Sequence, residues 1–138
     1  MHCCSLFNKK FPHGDLGGNR YTLKGKYANL HLLWDSGAGA FSENRYLENS
    51  FDSKPIAKEL MQKYPRKNFS KIHSPEQWAE ESHKLAVTVA YQVKEGSTPS
   101  EEYLEKVREV SKSQAALAGY RLAEILNSIP LYAHNALP

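Results

Sequence analysis

From residue 54 onward, apolar residues recur every three or four positions, the spacing of one face of an α-helix. A short helix is expected from Ile56 to Tyr64, ending before Pro65, because proline disfavours a helical residue ahead of it. A second opens in SPEQWAEESHKLAVTVAYQVKEG, with Ser74 as N-cap, Pro75 as first helical residue and Gln77 as the reciprocal capping partner. Its apolar face is Trp78, Leu85, Val89 and Val93, with Ala86 and Ala90 beside them, and Gly96 is the expected stop. A third opens at TPSEEYLEKV, where Thr98 caps, Pro99 comes first and Glu101 closes the box; it runs to about Ile129 before Pro130. Tyr103, Leu104, Val107, Val110, Gln114, Leu117, Ala118, Arg121, Leu122 and Ile125 form its stripe. Gly119 within it costs about 1 kcal/mol relative to alanine, which implies close approach by a neighbouring backbone. Arg121 is expected to pair with a buried carboxylate or cap carbonyls rather than bind nucleic acid.

Residues 1–53 lack that period. GDLGGN, Gly14 to Asn19, is turn sequence, and RYTLKGKY is weak strand or hairpin material. The exception is NLHLLWDSG, where His31 and Asp35 bracket Leu32, Leu33 and Trp34. In a helix, positions i and i+4 share one face, so the two side chains can grip one cation while the apolar residues turn partly to a core. Imidazole nitrogen and carboxylate oxygen both suit zinc, and a catalytic zinc takes three protein ligands plus water. His2, Cys3, Cys4, His13 and Asp15 lie upstream, and any of them could supply a third ligand. The spacing alone favours a half-buried helix histidine followed by a capping aspartate.

Composition bounds the reading. A chain of 138 residues, 41% hydrophobic and 24% charged, fits one globular domain or a piece of one. No apolar run approaches the roughly 20 residues that span a bilayer. The net charge of +3 leaves the partner open, because the basic residues are dispersed rather than gathered in a tail. MHCCSLFNKK has neither the charged nor the long apolar region of a signal peptide, so the chain taken literally stays in the cytoplasm. Cys3 and Cys4, the two cysteines present, are adjacent and poorly placed to pair with one another.

GDLGGN followed by NLHLLWDSG resembles the signature of the S1/P1 nuclease family, zinc-dependent single-strand nucleases with a phospholipase C-like helical fold. WAEESHKLA and AGYRLAEILN are similar to the family's C-terminal helices. The likeness covers nearly the whole chain and the second half or so of a family member. The implied fold is mainly α, incomplete, with a short β-hairpin or loop region near the N-terminus. Residues 1–138 would be the C-terminal part of a single domain, 1–53 forming the loop-rich metal-site region and 54–138 the helical region.

In the family a Gln-Pro-Leu-His run precedes the glycine motif, and Met1 and His2 match its end. The resemblance therefore implies that His2, His31 and Asp35 form one zinc site and are the catalytic residues. The family cluster holds three zinc ions, and the ligands of the other two have no counterpart here. The retained site would bind phosphate and stabilise the leaving 3′ oxygen, while the missing pair activates the attacking hydroxide. Asn19 resembles a position near the substrate base, and Ser36 lines the phosphate pocket on this reading, although both also read as local turn and helix-end chemistry.

The implied function is a zinc-dependent endonuclease that cuts single-stranded DNA and RNA to 5′ nucleotides, together with 3′-nucleotidase activity. This chain alone is expected to be weak or inactive. The alternative is a catalytically inactive helical zinc-binding fragment or interaction module. The expected partners are single-stranded nucleic acid or nucleotides and no membrane, with self-association through an exposed apolar patch. The parent protein is expected to be secreted or periplasmic. Asp15 is read as a loop organiser, His13 as a spare ligand, the cysteines as packing residues, and His73, His83 and His134 as surface or boundary residues.

Overall fold

A computed structural model describes residues 4–41, 53–69 and 74–130. Its elements are helices α1 (Leu30–Asp35), α2 (Lys54–Lys63), α3 (Pro75–Thr88) and α4 (Glu101–Ser128), so the fold is mainly α. Short 3-10 turns cover Gly37–Gly39, Arg66–Asn68 and Ala90–Gln92. Among the described residues no helix is long and apolar enough to cross a membrane.

Caps place the helix starts. Asn29 is extended, and its side chain accepts from the Leu32 amide; Ser74 does the same for Gln77. At α4 the cap is Ser100, which accepts from Tyr103 N, rather than Thr98. Pro99 thus lies ahead of the helix instead of in its first turn. The helix expected to reach Gly96 ends at Thr88, where Val89 takes φ −130° and ψ −58°. Val87, Thr88 and Val89 form a β-branched run that weakens the last turn, and the chain then tightens through Ala90–Gln92.

The strand or hairpin expected in RYTLKGKY reduces to one antiparallel bridge, between Thr22 and Asn29. Its other edge is taken by the α3–α4 connection, since Lys24 N donates to Ser97 O and Gly96 N donates to Thr22 O. Hydrogen bonds to that connection thus replace a longer cross-strand ladder.

The core lies where this N-terminal region meets α1, the connection and the first half of α4. Phe11, Tyr21, Leu23, Leu30, Leu33, Ala38, Val93 and Val107 form it. Gly37 lets α1 approach α4: its φ is +55°, and a Cβ there would come within 3.1 Å of both Phe41 and the Ser111 side chain. No such approach explains Gly119, where a Cβ would meet nothing within 4 Å.

Farther along α4 the apolar stripe is not buried: Leu122, Ile125, Leu126 and Ile129 are each about half exposed. Polar contacts hold α4 to the α2 region along its length. Lys63 and Tyr64 both donate to Glu109, Arg66 pairs with Glu124, and Tyr120 donates to the Tyr64 carbonyl. Lys63 and Tyr64 together keep the Glu109 carboxyl below its ordinary range. Arg121 pairs with a carboxylate, as expected, but the partner, Glu81, is partly exposed rather than buried, and the guanidinium also lies over the Trp78 ring.

Burial raises the phenols of Tyr21, Tyr91 and Tyr103, the last to about 12. A raised phenol stabilises the fold fully below the unfolded value, near 10, and that contribution falls as pH rises towards the folded value. Urea melts across a pH series should therefore show a stability plateau up to about pH 10 and a fall above it. Tyr103→Phe should flatten part of the fall; an equally steep fall in that variant would contradict the assignment.

Candidate metal and phosphate site

Helix α1 is only six residues long and is fixed mainly by what it buries. Leu30 and Leu33 are fully enclosed, which turns His31 and Asp35 to another face. Leu32, expected to lean towards the core, is instead 50% exposed, while Trp34 packs against the core and donates from Nε1 to Tyr103 OH at 3.2 Å. The His31 side chain is 14% exposed and that of Asp35 47% exposed.

The glycine motif folds over this helix. Leu16, Gly17 and Gly18 have φ of +56°, +62° and +91°, three left-handed residues in succession. Glycine adopts that region freely, whereas Leu16 does so at a cost of about 1–3 kcal/mol, which the surrounding bonds must offset. Gly17 N donates to Ser5 Oγ at 3.0 Å, and His31 N donates to Gly18 O at 3.3 Å. The Gly17 carbonyl, 3.0 Å from His31 Nδ1, can only accept, so Nδ1 carries a proton.

That bond directs the other ring nitrogen. His31 Nε2 lies 3.1 Å from Asp35 Oδ2. With Nδ1 protonated, neutral imidazole offers a lone pair at Nε2, and an ionised carboxylate also offers only lone pairs. Two acceptors at this distance need a cation between them, either a proton or a metal ion. Asp35 also faces a cavity of about 270 Å³, shared with Trp34, Phe41, Ser82, Ser111 and Gln114.

The other expected residues stand as follows. His2 and Cys3 lie outside the described residues, as do His73 and His134. Among the described residues no group of three His, Cys, Asp or Glu side chains comes together, so Cys4, His13 and Asp15 do not complete a cluster with the pair. His13 and His83 are exposed, and Cys4 is buried. Asn19 is exposed, its amide nitrogen bonded to Leu16 O at 3.0 Å. Ser36, the C-cap residue of α1, donates from Oγ to Leu33 O at 3.0 Å.

Asp15 is fully enclosed and organises the loop, as expected. Its Oδ1 accepts from Leu6 N at 3.0 Å. Its chief partner was not foreseen: Tyr91 OH lies 2.8 Å from Oδ2 and 3.1 Å from Oδ1. The signal available in the sequence was the β-branched run before it, which stops α3 and frees Tyr91 from the helix.

No curated protein and no solved structure gives a significant match to this chain. A family model described as S1/P1 nuclease matches residues 1–130, a span that includes the glycine loop, α1 and all of α4. The chain therefore belongs to the S1/P1 nuclease family.

Proposed function

We propose that His31 and Asp35, together with His2, hold one zinc ion, and that the chain is the C-terminal part of a single-domain phosphodiesterase acting on single-stranded nucleic acid. The supporting observation is the orientation of His31: Nδ1 is engaged by the Gly17 carbonyl while Nε2 and Asp35 Oδ2 stand 3.1 Å apart. Ligand atoms about 2.1 Å from one tetrahedral zinc lie roughly 3.4 Å from each other, so this donor pair suits the ion. A backbone carbonyl on the far ring nitrogen is also the usual orienting partner of a metal-binding histidine. Zinc bound here would supply positive charge for a phosphate oxygen and for the leaving 3′ oxygen.

The chain's own groups do the rest of the work in this reading. The Gly17 carbonyl fixes the imidazole, and Asp35 supplies the negative charge that favours a dication. Asn19, on the same loop, would meet the nucleotide base, and Ser36, beside Asp35, would line the phosphate pocket. The products would be 5′ nucleotides, and the same site would serve for 3′-nucleotidase activity. A parent protein that works outside the cytoplasm fits the family's character.

Incubating the chain with single-stranded DNA and a matched amount of zinc tests this reading. Slow hydrolysis that leaves 5′-phosphate ends, stops with a chelator and returns with zinc is expected. Hydrolysis indifferent to the chelator would remove zinc from the account. A zinc-loaded chain with no hydrolysis would make it a non-catalytic zinc-binding module.

A further inference from the structure

We propose that Tyr91 is a positioning residue for His31, acting through Asp15 and the glycine loop to hold the imidazole plane. Two anchors fix the loop on which this depends. On one side, Gly17 N donates to Ser5 Oγ at 3.0 Å. On the other, Asp15 is fully enclosed, and its carboxylate accepts from Leu6 N and from Tyr91 OH. The Asp15 backbone completes the anchor, with its N–H donating to Leu6 O at 3.1 Å and its carbonyl accepting from Arg20 N at 2.9 Å. The loop therefore starts and returns at Asp15, and between these points Gly17 presents its carbonyl to His31 Nδ1.

A buried carboxylate holds its place only while its lone pairs are met by donors. Tyr91 supplies a side-chain donor to Asp15 from a position 76 residues away in sequence. Burial first, and Asp15 second, raise the Tyr91 phenol well above its ordinary range, so it stays a donor at any physiological pH. Its ring is held in turn by an edge contact with Tyr21, with ring centroids 5.5 Å apart. The route from Tyr91 to His31 runs through the loop: the phenol holds Asp15, and Gly17, two residues on, meets His31 Nδ1. The break in α3 at Val89 is what brings it there.

The claim extends the proposed zinc site but is read out on the metal-free chain, so the two can fail separately. Imidazole proton and nitrogen resonances of His31 would be compared in the wild-type chain, Tyr91→Phe and Tyr120→Phe. Tyr120→Phe is the matched control, because it deletes a phenol bond to the Tyr64 carbonyl that has no link to the loop.

A slowly exchanging Nδ1–H in wild type and Tyr120→Phe, lost or markedly shifted in Tyr91→Phe, is the expected result. Zinc affinity should also fall by about 10- to 100-fold in Tyr91→Phe alone, the usual effect of removing an orienting group. An unchanged Nδ1–H in Tyr91→Phe would overturn the proposal, as would its absence from the wild type. Failure of the wild-type chain to bind zinc would instead overturn the zinc assignment, and the Nδ1–H comparison would still decide the role of Tyr91.

Discussion

The substitution His31→Ala is expected to lower zinc affinity by at least about 100-fold, since removal of a ligand exceeds the 10- to 100-fold cost of removing a partner behind it. Asp35→Ala should do the same. The two changes differ in what else they disturb. Asp35 has a half-exposed side chain, so its removal should leave the metal-free fold nearly unchanged. His31 is mostly enclosed and bonded to Gly17, so His31→Ala should also loosen the loop by about 1 kcal/mol. Isothermal titration with zinc, paired with melts of the metal-free variants, separates these effects. Unaltered zinc affinity in both variants would refute the ligand assignment.

The largest effect on stability is expected from Leu33→Ala. Leu33 is fully buried in the central cluster, and leucine-to-alanine changes at such sites cost about 2–5 kcal/mol. A loss of about 3 kcal/mol should lower Tm by roughly 10 °C in a domain of this size. Zinc binding should weaken with it, because the same short helix carries both His31 and Asp35. Leu32→Ala is the comparison: the adjacent side chain is 50% exposed, and its loss should change stability by about 0.5 kcal/mol or less. Equal Tm shifts for the two variants would contradict the burial of Leu33.

These expectations depend on features of unequal visibility in the sequence. Helix α1 was legible only as a condition, under which His31 and Asp35 share a face; the Asn29 cap that starts it was not read. The start of α3 was legible, since Ser74 and Pro75 are local signals. At α4 the sequence pattern placed the cap at Thr98, whereas Ser100 caps the helix, because the backbone path is set by the connection. The end of α3 was hidden because the alanine and valine spacing continues beyond Thr88, while the β-branched run that breaks it is a weaker signal.

Periodicity misled more deeply in the second half of α4. It marks Leu122 and Ile125 as one face but says nothing of whether a neighbour covers that face, and the described residues leave both about half exposed. Gly119 misled likewise, for the space around it is open. The Asp15–Tyr91 bond could not be read locally at all, because its partners are 76 residues apart and meet only after the connection has packed against Thr22 and Lys24. The part of the site that depends on sequence neighbours was therefore visible, and the part that orients it was not.

Measuring the zinc content of the purified metal-loaded chain, after removal of loosely bound ions, tests the central claim most directly. About one zinc per wild-type chain, lost in Asp35→Ala while the helical signal of that variant is retained, is the predicted result. A wild-type chain that retains no zinc while fully folded would contradict the account.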